Sequence, residues 1–158
     1  MLLDVGCAEA LYALHWIDDV RKVYLFECEK MWEKPLRLTF ARYGDDVSIV
    51  RKLVGDGRGG SVRLSDVIKE SADASYFVKM DIEGAERFVI KSSADFLQTH
   101  KVKMSVCCYH RQDDAEVLGK MLSTLGFSIE YSDGYMLTPL NGMIYPYFRK
   151  GVIYARNY

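Results

Sequence analysis

The sequence contains little of several features that would set it apart from an ordinary globular domain. Its 158 residues include four cysteines and three prolines, and 21 cationic against 22 acidic side chains give a formal net charge of −1. A charge this close to zero argues against a strongly basic nucleic-acid binder, and no apolar run reaches the roughly 20 residues of a membrane span. Hydrophobic residues make up 49% of the chain and aromatic residues 13%, which argues against disorder and supplies one core. Because Met1 leads directly into LLDVG, no targeting segment is predicted, and the expected location is the cytoplasm.

The four cysteines form no recognisable ligand or disulfide pattern. Cys7, Cys28 and the adjacent Cys107 and Cys108 lie in or beside apolar segments, and none belongs to a C-x-x-C motif. A zinc site or a reactive thiol is the alternative interpretation. We interpret all four as small apolar side chains in a reducing compartment.

Apolar segments alternate with amphipathic ones along the chain, which is typical of a layered α/β protein. The predicted helices include one with Pro35 in its first turn, one over 84–97 with a break near Ser92, and one opened by a capping box of Asp113 and Glu116. Right-handed crossovers then give a Rossmann-like, doubly wound, mostly parallel sheet. No helix is expected before the last strand, which is therefore predicted to insert antiparallel, as in the class I methyltransferase fold. Seven strands are predicted within a single domain over 1–158, at residues 2–6, 23–27, 47–53, 76–82, 102–110, 127–131 and 151–156.

A glycine-rich segment, LVGDGRGGSVRL, interrupts this alternation after the third strand. Glycine and aspartate supply the positive φ angles of tight turns, and apolar residues flank the segment, so a hairpin is predicted. A phosphate-binding loop is the alternative, but the segment lacks the G-K-[ST] sequence of such loops.

Ligands of an open parallel sheet bind beyond the carboxyl ends of its strands. The first strand ends at Asp4 to Gly6, followed by Cys7 and Ala8, and Gly6 allows a sharp turn and close approach to a ligand. The second strand ends at Glu27, 21 residues after Gly6, where an acidic side chain can accept hydrogen bonds from both ribose hydroxyls of a nucleoside cofactor. The alternative for Glu27 is an exposed carboxylate without a ligand.

The fourth strand ends in KMDIEGAE, where Asp81, Glu83 and Glu86 cluster at a strand-to-helix turn. These carboxylates are either ordinary charges at a helix N-terminus or functional groups. Lys79 and Asp81 are predicted to share one face of a central strand, where an ionised group is costly unless it is paired or used. Asp81 and Glu83 are possible ligands of a hard cation, but we interpret them as hydrogen-bonding groups and predict no metal.

The fifth strand ends at Tyr109 and His110. A histidine at this edge of the sheet has a pKa suited to a general base for a substrate hydroxyl. His15, within a helix, and His100, in a polar connection, are interpreted as structural or surface residues.

Together these segments resemble the FkbM-type family of S-adenosylmethionine-dependent methyltransferases over essentially the whole chain. The most specific segment is VKMDIEGAE, which is close to the family's K-I-D-x-E-G-A-E signature. The other similar segments are DVG, FE, LVGDGRGG, the YH after the fifth strand, and YFRKGVIYAR.

The resemblance implies an enzyme that uses S-adenosylmethionine to methylate an oxygen nucleophile on a small-molecule or sugar-type acceptor. It places Asp4 and Gly6 at the methionine side of the cofactor, Glu27 at its ribose and residues near Leu53 at its adenine. Cys7, Ala8 and Cys28 would also contact the cofactor, and Asp81, Glu83 and His110 would face the reaction centre, with Asp81 near both. The first motif departs from the family's D-V-G-A-N-x-G, because Ala8 replaces the asparagine and Ala10 the second glycine.

Two other functions stay open at this point. A degenerate, non-catalytic domain that binds proteins is suggested by the altered first motif and by six of the eleven tyrosines, which follow residue 130. A nicotinamide-cofactor enzyme is less favoured, since the first strand is not followed by G-x-G-x-x-G. The sequence leaves a homo-oligomer open.

Overall fold

The computed structural model describes residues 1–69, 73–137, 145 and 147–158. Seven strands form one sheet in the order β3-β2-β1-β4-β5-β9-β6, and a separate two-stranded ribbon pairs β7 with β8. The strands of the large sheet are β1 (Leu2–Val5), β2 (Val23–Phe26), β3 (Val47–Val50), β4 (Ser75–Met80), β5 (Lys101–Cys107), β6 (Ser128–Tyr131) and β9 (Val152–Arg156), and those of the ribbon are β7 (Met136–Leu137) and β8 (Phe148–Arg149).

The strand arrangement confirms the predicted doubly wound sheet. Neighbouring strands from β3 to β5 are parallel, whereas β9 runs antiparallel between β5 and β6. The helices that connect the strands are α1 (Leu11–Trp16), α2 (Lys30–Phe40), α3 (Leu64–Val67), α4 (Glu86–Ser92), α5 (Ala94–Thr99) and α6 (Asp114–Thr124). The predicted break near Ser92 is confirmed, because α4 and α5 are separated at Ser93.

Apolar side chains fill both faces of the sheet, because strands of a mostly parallel sheet are buried on both sides. One cluster joins α1 and α2 to alternate residues of β1 and β2, including Leu2, Val23 and Leu25. A larger cluster joins the other residues of these strands to α3, α4, α5 and α6. Beyond the first cluster, Lys103 of β5 and Arg156 of β9 occupy the same sheet face and stay exposed.

Two local predictions are wrong. Residues 53–64 contain no pair of antiparallel strands, and an isolated bridge joins Val54 to Val62 instead of the expected hairpin. Pro35 lies inside α2 instead of in its first turn. The helix begins earlier than expected because the carboxylate of Glu27 already accepts the N–H of Glu29 (2.8 Å), the residue before its first turn.

The predicted capping box at the start of α6 is also wrong. Asp113 is the N-cap residue but makes no side-chain capping hydrogen bond, because its carboxylate pairs with Arg87 of α4 at 2.5 Å. The next residue, Asp114, is buried and accepts the N–H of Arg111 at 2.7 Å. The tyrosine- and proline-containing loop expected before the last strand falls largely on 138–144 and 146, outside the described residues. No helix among the described residues is long and apolar enough to cross a membrane.

Candidate functional site

The carboxyl ends of β1 and β4 are joined by an ion pair between Asp4 and Lys79. The two residues are register partners on neighbouring parallel strands, so their side chains leave the sheet on the same face. Lys79 Nζ lies 3.1 Å from Asp4 Oδ1 and donates a hydrogen bond to the carbonyl oxygen of Gly6 at 2.7 Å. Burial raises the pKa of Asp4, and the Lys79 ammonium opposes this shift. Asp4 was expected to line the cofactor site, but its fully buried side chain is used for this ion pair.

Gly6 is required by the close approach of β4 to the turn after β1. Its φ is +74°, and an added Cβ would lie 2.1 Å from the carbonyl oxygen of Asp81 and 2.7 Å from Ile82 Cγ2. We expected the missing side chain of Gly6 to leave room for a ligand. In the structure that room is filled by the backbone of Asp81. The same contact brings the segments of Gly6 and Asp81 together.

Glu27 organises the loops that follow β1 and β2. Its Oε2 accepts the N–H of Ala8 at 2.9 Å, and its Oε1 accepts the N–H of Glu29 at 2.8 Å. Each carboxylate oxygen can accept more than one hydrogen bond, so Glu27 retains acceptor capacity for a ligand. The residue is 8% exposed, which places that capacity at the floor of a cleft.

A cleft of about 70 Å³ brings together four of the predicted cofactor residues: Gly6, Glu27, Cys28 and Leu53. Apolar side chains of β1, β2, α4 and the turn before α4 complete it, among them Val5, Phe26, Val89 and Ile82. Most small-molecule sites enclose roughly 300 Å³ or more, so a nucleoside has to extend over the open edge of this cleft or widen it. The predicted residues Cys7 and Ala8 do not line the cleft. Cys7 is buried, and Ala8 reaches the site through its N–H on Glu27.

The two departures from the family motif occupy strained backbone positions. Ala8 has φ +45° and Ala10 has φ +59°, a left-handed conformation that Gly and Asn adopt more readily than Ala. Asn and Gly are the residues that the motif carries at these two positions. Both alanines therefore adopt a conformation that suits asparagine or glycine better.

A second group of side chains lies at the ends of β4 and β5. His110 Nε2 lies 3.3 Å from Asp81 Oδ1 and 3.7 Å from Glu83 Oε2, and its Nδ1 lies 3.0 Å from Glu86 Oε1. The His110 side chain is 4% exposed and that of Glu86 is fully buried, whereas Asp81 is 32% and Glu83 87% exposed. The structure therefore brings together the three residues predicted for the reaction centre.

The carboxylates hold a proton on His110. Burial disfavours the imidazolium, but Asp81 and Glu86 outweigh it and raise the pKa of His110 to about 10. His110 in turn lowers the pKa of Asp81, and it lowers that of Glu86 against the effect of burial. A ring that is protonated at neutral pH has no lone pair to accept a proton, which differs from the general-base role expected of His110.

Three residues, Glu86, Tyr109 and Arg149, make contacts in this cluster that were not predicted. Glu86 fixes the turn after β4 by accepting the N–H of Ile82 at 3.0 Å. The Tyr109 hydroxyl donates to Asp81 Oδ1 at 3.0 Å, and Arg149 donates to the carbonyl oxygens of Tyr109 and His110 at 2.8 and 3.1 Å. The E-G-A-E segment and the Y-H pair contain two of these residues, but nothing in the sequence relates Arg149 to residues forty positions earlier.

The cysteines carry no metal cluster within the part of the chain that the structure describes. All four are free thiols, and burial raises the pKa of Cys107 and of Cys108 to about 12. Cys7 and Cys108 are buried and Cys107 is partly buried, as apolar side chains usually are, whereas Cys28 is exposed.

A family model described as the methyltransferase FkbM domain matches residues 60–135. That segment, just under half of the chain, is therefore similar to the FkbM methyltransferase domain. The FkbM match includes β4, β5 and the cluster of Asp81, Glu83, Glu86 and His110, and it leaves out Gly6 and Glu27. No curated protein matches the chain.

Solved structures support the FkbM resemblance at the level of the fold. A methyltransferase FkbM from Methylobacillus flagellatus is 22% identical with a TM-score of 0.70, and the match covers 97% of this chain and 42% of that one. A magnesium protoporphyrin IX methyltransferase from Synechocystis, with bound SAM, is 13% identical with a TM-score of 0.57, covering 100% and 70% of the two chains. The chain therefore spans less than half the length of the FkbM structure that it matches.

Proposed function

We propose that the protein binds S-adenosylmethionine at the carboxyl ends of β1 and β2 and transfers its methyl group to a hydroxyl oxygen. The observation that carries this proposal is the cleft that joins Gly6, Glu27, Cys28 and Leu53. These residues come from three separate loops, and the sequence resemblance implied that all four contact the same cofactor. The FkbM match and the methyltransferase structures support the same reaction class.

The cleft residues fit a nucleoside cofactor in their chemistry. Glu27 holds two backbone N–H groups and keeps lone pairs for ribose hydroxyls. Leu53 is 59% exposed at the edge of the cleft, where it offers an apolar surface for the flat face of a base. Asp4 contributes indirectly. Its ion pair holds Lys79, and Lys79 in turn donates a hydrogen bond to the carbonyl oxygen of Gly6 at the cleft.

The cluster on β4 and β5 fits the acceptor side. The cofactor, when bound, supplies a methyl group on a sulfonium sulfur; an O–C bond forms to the acceptor while the C–S bond breaks and its electron pair stays on sulfur. Asp81 is partly exposed and held in place by the cluster, whereas Glu83 is 87% exposed, so in this proposal Asp81 accepts the hydroxyl proton. His110 and Tyr109 orient that carboxylate from its buried side. In this proposal His110 is a positioning residue.

The acceptor is proposed to be a small molecule or a sugar that carries a free hydroxyl. The cluster presents carboxylates and one partly exposed face, which suits a neutral, hydrogen-bonding group better than an anion. The four free thiols favour a reducing, cytoplasmic setting.

Calorimetry with S-adenosylhomocysteine tests the cofactor site. The wild-type protein is expected to bind the ligand once per chain, Leu53→Ala to bind it more weakly, and Glu27→Ala to lose binding. Glu29→Ala is the matched control, because the Glu29 side chain is exposed and only its backbone N–H contacts Glu27. No heat at millimolar ligand would contradict the proposal.

One observation favours a second candidate, a non-catalytic protein-binding domain. The segments around the β7–β8 ribbon expose several aromatic side chains, namely Tyr135, Tyr145, Tyr147 and Phe148. Aromatic side chains are enriched in protein interfaces. Self-association that occurs without S-adenosylhomocysteine and is lost in Tyr147→Ser with Phe148→Ser would support this candidate, particularly if calorimetry detects no ligand.

A further inference from the structure

The protein holds a buried imidazole whose nitrogens lack well-formed hydrogen bonds. His110 Nδ1 and Nε2 both lie close to carboxylate oxygens, yet neither makes a hydrogen bond of acceptable geometry with any described residue. Oε2 of the fully buried Glu86 is also without a partner of that geometry. Buried polar atoms without hydrogen bonds are rare, and a bound water, ligand or ion commonly accounts for them.

The groups around Nε2 are the ones that a metal ion would require. Asp81 Oδ1 and Glu83 Oε2 lie 3.3 and 3.7 Å from Nε2. Ligands that are about 2.1 Å from one ion are themselves about 3 Å apart, so small side-chain shifts bring these three atoms onto a common centre. Ligand atoms of Asp81, Glu86 and His110 lie within 4.8 Å of one another.

The other side of the ring has the arrangement that supports a metal-bound histidine. Glu86 Oε1 lies 3.0 Å from Nδ1, and the same oxygen is fixed by the N–H of Ile82. A small rotation of the ring would turn this contact into a hydrogen bond, and a carboxylate that accepts the N–H of one ring nitrogen orients the other nitrogen toward a metal and increases its basicity. Asp81 and Glu83 lie on the exposed side, which leaves open coordination positions.

Charge favours a cation at the same place. Three carboxylates, those of Asp81, Glu83 and Glu86, surround one imidazole, and the ammonium of Lys79 is already paired with Asp4. A bound cation supplies the balancing charge and leaves His110 as a neutral ligand.

We propose that His110 Nε2, Asp81 and Glu83 bind one divalent first-row transition ion, with Glu86 as the residue that orients His110. One nitrogen and two carboxylates suit Mn²⁺, Fe²⁺ or Zn²⁺ better than Mg²⁺, which prefers oxygen ligands and retains its waters. An acceptor hydroxyl on an open position would lose its proton more readily. That role rests on the proposed function, whereas ion binding does not.

The test is a titration of metal-stripped full chain with Mn²⁺, followed by the electron paramagnetic resonance signal of the free ion. One Mn²⁺ is expected to bind per chain, and Asp81→Asn and His110→Gln are each expected to weaken binding at least tenfold. The matched controls are Asp113→Asn and His15→Gln, which alter an exposed carboxylate and an exposed imidazole elsewhere. Circular dichroism of each variant verifies that it is folded.

A second measurement keeps the test valid if a variant does not fold. Co²⁺ added to the wild-type protein is expected to give visible absorption bands of a site with nitrogen and oxygen ligands, and excess Zn²⁺, which competes for the same ligands, to abolish them. Absence of Mn²⁺ binding below about 1 mM, equal binding by wild type and both site variants, or displacement of Mn²⁺ by an equal concentration of Mg²⁺ would each overturn the proposal. Binding of S-adenosylhomocysteine by the metal-stripped protein would show that the proposed function survives such a failure.

Discussion

Lys79 and Asp4 face each other across β4 and β1, with Lys79 Nζ 3.1 Å from Asp4 Oδ1. The Asp4 side chain is 1% exposed and that of Lys79 is 18% exposed, so water does little to screen the pair. The pair also holds the carbonyl of Gly6 at the cleft through Lys79. The pairing of Asp4 with Lys79 in the sheet register therefore helps to fix the position of the Gly6 carbonyl at the candidate cofactor site.

Removal of the cation from this pair is expected to destabilise the fold. Lys79→Met leaves Asp4 buried without a counter-ion, and breaking a buried pair in this way costs about 3 kcal/mol or more. Urea unfolding followed by circular dichroism measures the change, with Lys34→Met on the exposed side of α2 as control. Equal midpoints for the two variants would show that the pair contributes no stability.

Gly6→Ala is expected to destabilise the protein more than Gly60→Ala. Both glycines have positive φ, +74° and +85°, but an added Cβ at Gly6 meets the Asp81 carbonyl at 2.1 Å and one at Gly60 meets nothing within 4 Å. Gly60→Ala therefore carries only the conformational cost of about 1 kcal/mol, and Gly6→Ala adds an overpacking cost of about 1–3 kcal/mol. Thermal unfolding of both variants checks the order, and a larger loss in Gly60→Ala would contradict the close approach.

Ala8→Asn is expected to raise the melting temperature. Ala8 has φ +45°, and asparagine tolerates this left-handed conformation better than alanine, which favours the variant by up to about 1 kcal/mol. Ala41→Asn is the matched control, because Ala41 is exposed and has φ −54° at the end of α2. A control that gains as much as Ala8→Asn would remove backbone strain as the explanation.

The two adjacent aspartates at the start of α6 are expected to respond differently to neutralisation. Both contact Arg87, but the Asp114 side chain is fully buried and that of Asp113 is 58% exposed. Asp114→Asn should lower the denaturant midpoint clearly, since it replaces a charged acceptor of Arg87 and of the Arg111 N–H with a weaker one. Asp113→Asn should change it little, as is usual for exposed ion pairs. The comparison fails if the two variants unfold together.

Much of the sheet could be predicted because its strands are short apolar segments buried on both faces. Helices predicted between most of the segments indicated parallel pairing. No helix was predicted before the last strand, which indicated the antiparallel pairing that the structure shows at Val152–Arg156. The turn over 53–64 was mistaken for a hairpin because glycines show where a chain turns and not whether its flanks pair. Local spacing also suggested the capping box, and a distant partner, Arg87, overrode it.

The positions of the candidate site residues in the fold were easier to predict than their protonation and their contacts. Glu27 and His110 stand out because polar side chains that follow buried strands lie at one edge of a parallel sheet. The protonation of His110 depends on Asp81 and on Glu86, whose distances arise only from folding. The need for glycine at position 6 likewise comes from the Asp81 carbonyl, 75 residues away in the chain.

The position of β9 constrains the order in which the sheet can assemble during translation. β9 follows the other strands in the chain, yet it lies between β5 and β6 and pairs with both. The parallel part from β3 to β5 is able to form while the ribosome is still adding later residues. β6 has to stay undocked until Val152–Arg156 has emerged, because a direct pairing of β6 with β5 would occupy the place of β9. Completion of the sheet thus waits until Val152–Arg156 has left the exit tunnel.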